Sequence, residues 1–146
     1  EKCEIIITGR TKHFLSLVGE HLSVDNMNKA INQVSDELNI YIGEFAVAGV
    51  PHDTFFAHHW YIATDDRVDA KVLAMKIDEK LKVLNDDYEV ERKHALKDVF
   101  VDVLSEETFM NFMKSKGKVG GQHKFPRVLK GKILEDWQSF LLENRA

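Results

Sequence analysis

Two runs of residues suited to a pleated surface stand almost back to back near the middle of the chain, and they limit its fold more than any other feature. The first, 42–50, reads Ile-Gly-Glu-Phe-Ala-Val-Ala-Gly-Val; the second, 57–64, carries Trp60, Tyr61 and Ile62. β-branched and aromatic residues favour strands, whereas Pro51-His52-Asp53 favours a turn between them. A connection this short allows only antiparallel pairing. The chain is therefore expected to be built on a hairpin.

Helical spacing surrounds that hairpin. Ser23 stands as an N-cap before Val24, Met27, Ile31, Val34 and Leu38, which predicts a helix over 23–38. Val72, Leu73, Met75, Ile77, Leu81 and Leu84 predict another over 69–84, with Asp69 at its positive dipole end. A second helical segment is expected over 87–94. Val99, Val101 and Val103 alternate with Phe100 and Asp102 as a strand, and Ser105 then caps a helix carrying Phe109, Phe112 and Met113 on one face. A closing helix over 133–144 turns Leu134, Trp137, Phe140 and Leu141 toward the core. At the amino end, Ile5-Ile6-Ile7 and 14–18 read as short strands. Strands and helices alternate irregularly, so the expected class is α+β: a small mixed or antiparallel sheet with helices packed on it, in one domain over 1–146.

Composition narrows the function. With 146 residues, 44% of them apolar, the chain can bury one ordinary core. Its one cysteine, Cys3, excludes an intramolecular disulfide and suits a reducing, cytoplasmic setting. No apolar run approaches the ~20 residues of a membrane span. A net charge of −4 argues against a nucleic-acid partner. The charge is uneven, however. Between Glu107 and Glu135 no acid occurs, while Lys114, Lys116, Lys118, Lys124, Arg127, Lys130 and Lys132 all do. A solvated basic surface and a local anion site both fit that asymmetry. The glycine-rich stretch 115–125 is expected to be a mobile loop. His58 and His59 are adjacent on a predicted strand and so point to opposite faces, which prevents them from sharing an ion. No metal site is expected.

Two segments carry chemistry. Gly9-Arg10-Thr11-Lys12-His13-Phe14-Leu15-Ser16-Leu17-Val18-Gly19-Glu20-His21-Leu22-Ser23 sets a glycine at each end of a short hairpin and then opens a capped helix. An ordinary tight hairpin would use glycines in the same way. Pro126-Arg127-Val128-Leu129-Lys130-Gly131-Lys132-Ile133 lies near the other end. Together, in this order, they resemble the hinge and the closing lysine loop of the adenylate-forming superfamily that contains acyl-CoA synthetases and luciferases. Gly9, Arg10, Lys12 and Gly19 match the first pattern. Pro126, Gly131, Lys132 and Ile133 match the second, whereas Ser16, Arg127 and Lys130 depart from common family residues. With Gln122-His123-Lys124-Phe125-Pro126-Arg127, the chain looks most like bacterial members of the auxin-responsive Gretchen Hagen family of acyl-acid amido synthetases.

The resemblance implies a mobile carboxy-terminal domain of an enzyme that uses ATP and Mg2+ to join an acyl acid to an amino acid. Its partner would be the amino-terminal domain of the same polypeptide, expected to lie outside this chain and to bind most of the nucleotide and metal. Arg10 and Lys12 would form the hinge. Lys132, or alternatively Lys124, would stabilise charge at the α-phosphate, a role that suits a compact ammonium on a flexible stem. Gly19, Glu20 and His21 would face the amino acid acceptor. Two rival expectations are a stand-alone anion- or nucleotide-binding module and a domain that dimerises through an exposed sheet edge.

Overall fold

Ser23 caps the first described helix, as its position suggests. Its hydroxyl accepts the Asn26 N–H at 3.0 Å, capping α1 (Val24–Leu38). Asn39 then ends the helix in the left-handed region at φ 56°, a conformation that asparagine tolerates better than most residues. The computed structural model describes residues 22–52, 55–94, 96–116 and 125–144. The expected strands at 5–7 and 14–18 lie outside them.

The predicted hairpin is present as β1 (Glu44–His52) and β2 (Phe55–Ala63), paired antiparallel from Glu44↔Ala63 to His52↔Phe55. β1 runs through Pro51 rather than stopping at it. An outer strand accommodates a residue that lacks an N–H. α2 (Ala70–Leu84) follows, with the Asp69 carboxylate accepting the Lys71 N–H at 2.8 Å, and α3 (Asp86–His94) continues after the break at Asn85. The chain then returns as β3 (Leu96–Leu104), parallel to β2, to give a mixed sheet in the order β1-β2-β3. β3 starts earlier than the valine alternation suggests, because Leu96 is buried and the register slips by one residue at Lys97. α4 (Glu106–Ser115), capped by Ser105, and α5 (Gly131–Asn144) complete the described elements. The fold is α+β.

Alternation along the strands sends successive side chains to opposite faces, and each face has its own core. Phe45, Val47, Trp60 and Ile62 meet Met27, Ile31 and Val34 of α1 and Leu73, Ile77 and Leu81 of α2. Ala46, Ala48, Tyr61 and Ala63 meet Phe109, Phe112 and Met113 of α4, Phe125 and Leu129, and Trp137 and Leu141 of α5. A polar clamp fastens α3. Asp78 of α2 accepts the Tyr88 hydroxyl at 2.6 Å and the Arg92 Nε–H at 2.9 Å, while Arg92 Nη1 donates to the Leu96 carbonyl at 2.8 Å. Burial and the neighbouring Asp78 carboxylate push the Tyr88 phenol well above its ordinary range.

His58 is fully buried on the first face, with its ring 6.0 Å from that of Tyr88. Burial, reinforced by the Arg92 charge, drives its imidazole down to about 3, so it is neutral at pH 7. The unfolded chain binds this proton near pH 6.5 and the folded chain resists it, so the stabilisation is full above pH 6.5 and is lost as pH falls toward 3. Between pH 7 and 4.5 this one group is expected to remove about 3 kcal/mol of folding stability. Urea unfolding of the parent chain and His58→Leu at both pH values checks this. The loss should be smaller in the variant by about that amount, and equal losses would count against it.

Candidate functional site

The proline-to-lysine segment forms a strap on the outer edge of β1. The Val47 N–H donates to the Arg127 carbonyl at 2.8 Å, and the Leu129 N–H donates to the Val47 carbonyl at 2.9 Å, which makes a parallel bridge between Val47 and Val128. Phe125 and Leu129 anchor the strap from within the second core. Arg127 turns back over the sheet edge. Its guanidinium lies 4.2 Å from the Phe45 ring centroid, donates to the Phe45 carbonyl at 3.1 Å and pairs with Glu44. Arginine suits this task because one planar group can stack, donate and carry charge together.

Gly131 converts the strap into α5. Its φ of +64° is strained for any residue with a side chain, and nothing lies within 4 Å of where a Cβ would stand, so backbone conformation alone calls for glycine here. Lys132 follows with its side chain 84% exposed and its Nζ 3.1 Å from Asp136 Oδ1, one helical turn on. The other oxygen of Asp136 accepts the ammonium of Lys116, the C-cap residue of α4. Asp136 therefore joins the end of α4 to the start of α5. The hydrogen bond from Lys116, and then that from Lys132, hold its carboxyl below the usual carboxylate range.

Of the predicted site residues, Lys132 is placed in this arrangement. Arg10, Lys12, Gly19, Glu20, His21 and Lys124 lie outside the described residues, as does most of the expected 115–125 loop. The basic stretch is less cationic in space than in sequence. Lys116 and Lys132 share Asp136 and Arg127 is paired with Glu44, which leaves Lys114 and Lys130 without an ion pair among the described residues. Glu44 lies far upstream and gave no local signal. Asp136 could have been found, because its four-residue spacing from Lys132 puts both on one helical face.

The adjacent histidines do point apart. Opposite the buried His58, His59 stacks on Tyr61 at 4.4 Å and contacts Asp102 through Nε2 at 3.0 Å. This pair helps to line a mainly apolar cleft of about 430 Å³ shared by β3 and the first turns of α2. Among the described residues no three His, Cys, Asp or Glu side chains converge to hold a metal ion, and no helix is long and apolar enough to cross a membrane.

Fold and strap together define a small α+β domain that presents one lysine at the start of its last helix. The family profile described as the GH3 family C-terminal domain matches residues 25–132. The chain belongs to this family. Among solved structures it is similar to a GH3.15 acyl acid amido synthetase at 18% identity and a TM-score of 0.64, covering 84% of this chain and 23% of that one. It is also similar to an AtGH3.15 acyl acid amido synthetase in complex with 2,4-DB, at 15% identity and a TM-score of 0.60, covering 79% and 23%. The chain thus spans about a quarter of the length of these solved chains. No curated protein matches it by sequence.

Replacing Gly131 should strain the turn that aims Lys132. Gly131→Ala is expected to lower stability by about 1–2 kcal/mol, and Gly131→Asn by less, because asparagine enters the left-handed region more readily. Urea unfolding of both variants checks this. An alanine variant as stable as the parent would mean that the turn relaxes freely.

Proposed function

We propose that this chain is the carboxy-terminal domain of an ATP-dependent acyl-acid amido synthetase and that Lys132 serves its first half-reaction. The observation that supports the reading best is the strap: Lys132 projects into solvent from a turn pinned on both sides, by the β1 edge before it and by α5 after it. In that half-reaction an acyl carboxylate oxygen attacks the α-phosphate of ATP. The bond to the β-phosphate breaks, and pyrophosphate leaves with the electron pair. Charge builds on the α-phosphate oxygens, where an ammonium delivered from outside is stabilising. In the second half-reaction the amine of an amino acid attacks the acyl carbon, AMP leaves, and the amine gives up a proton to form the amide.

In this reading the nucleotide, its Mg2+ and the acyl acid sit mainly on the amino-terminal domain of a longer polypeptide. Arg10 and Lys12 serve as the hinge. Rotation about it exchanges the Lys132 strap for the segment with Gly19, Glu20 and His21, which faces the amino acid. Lys124 is the alternative first-step lysine. In the alternative reading of a self-standing anion module, Lys116, Arg127 and Lys132 would exchange their carboxylate partners for the anion.

Lys132→Ala in the longer polypeptide is expected to slow acid-dependent pyrophosphate release by about 100-fold or more, the scale of losing one charge-stabilising group. Amide formation from a supplied acyl-adenylate should continue. Unchanged pyrophosphate release would remove Lys132 from the mechanism. The 146-residue chain alone, given ATP, acyl acid and amino acid, is expected to release none. Sustained release from it would contradict the two-domain reading.

A further inference from the structure

Lys132 occupies an unfavourable place. It stands in the first turn of α5, where the helix dipole is positive and where no acidic residue lies. A cation there is repelled unless a nearby carboxylate offsets the dipole, and Asp136 is the carboxylate that does so, at 3.1 Å. Asp136 has a second and more protected partner. The Lys116 side chain is 35% exposed against 84% for Lys132, and its ammonium takes the other oxygen.

We propose that Asp136 is a positioning residue that holds Lys132 at rest, and that Lys116 is the counter-charge that stays behind when Lys132 departs. The proposal rests on the reading of Lys132 as the first-step lysine. A carboxylate with one partner is left bare when that partner leaves, and a bare anion holds its cation back. With Lys116 in place, Asp136 remains neutralised. Lys132 is then oriented by the helix start and by Asp136, and its exposed pair is weak enough to exchange for a phosphate oxygen. Lys116 and Lys132 stand near the two ends of the basic stretch in sequence, so one carboxylate serves both.

The test is competitive trace acylation of lysines on the whole chain, read residue by residue by mass spectrometry as the ratio of Lys132 to Lys130. Lys130 is an exposed neighbour without an ion pair among the described residues. Asp136→Asn should raise that ratio about two- to fivefold, the range an exposed ion pair supports. Lys116→Met should lower it by about twofold, because Asp136 then holds Lys132 alone. Lys116→Arg and Asp136→Glu should leave it near the parent value. An unchanged ratio in both Asp136→Asn and Lys116→Met would overturn the proposal. So would a rise in Lys116→Met. Should Asp136→Asn fail to fold, the two Lys116 variants decide the matter. No nucleotide is involved, so this result and the pyrophosphate result on Lys132→Ala can fail separately.

Discussion

Trp137 seated on an alanine-lined sheet face is the interaction on which the carboxy-terminal half depends. The indole is fully buried, with ring centroids of Phe125, Phe109 and Phe112 within 4.9 to 5.0 Å and Tyr61 edge-on at 5.6 Å. These four rings come from the segment leading into the strap, from α4 and from β2, so one side chain ties together every part of that layer. A ring so large can approach the sheet because Ala46, Ala48 and Ala63 leave the space beneath it. Removing a side chain of this kind from a packed core costs about 3–5 kcal/mol, a large share of the ~5–15 kcal/mol that holds a domain together. Lys132 is on the same helix, and its position follows from where Trp137 sits.

The two faces of the sheet divide the labour. The first is packed by α1 and α2 with mainly aliphatic side chains, and it is fastened by the Asp78, Tyr88 and Arg92 clamp at its α3 end. From the two motif segments it takes up Leu22, which is buried in it, and Val128, which packs against it. The second is largely aromatic, and it anchors the strap through Phe125 and Leu129. Aromatic rings in mutual edge contact have few ways to rearrange, so this layer gives the start of α5 a defined position.

Local chemistry made much of the fold legible. Ser23, Asp69 and Ser105 cap helices where the sequence places them, and the apolar spacing of α1 and α2 predicts their buried faces. What could not be read involves partners far apart in the chain. The parallel return of β3 is invisible because alternation along Val99, Val101 and Val103 is compatible with either direction. The early start of β3 escaped because Lys97 and Asp98 look like turn residues until a register slip accommodates them. Around the strap, the four-residue spacing of Lys132 and Asp136 is readable as a helical pair, whereas the pairing of Arg127 with Glu44 had no sequence correlate. The carboxylates that pair with the cations of the acid-free window lie just outside it, at Asp136, or on β1, at Glu44.

The strap engages both main-chain groups of Val47 on the outer edge of β1. An open strand edge is a template on which another chain can pair, and proteins guard such edges. Here the guard and the carrier of Lys132 are the same residues. A substitution that loosened the strap and so displaced Lys132 would also bare a β-strand edge beside an aromatic core, and self-association would accompany the displacement. That coupling ties colloidal behaviour to the placement of Lys132 and narrows the routes by which this segment can change.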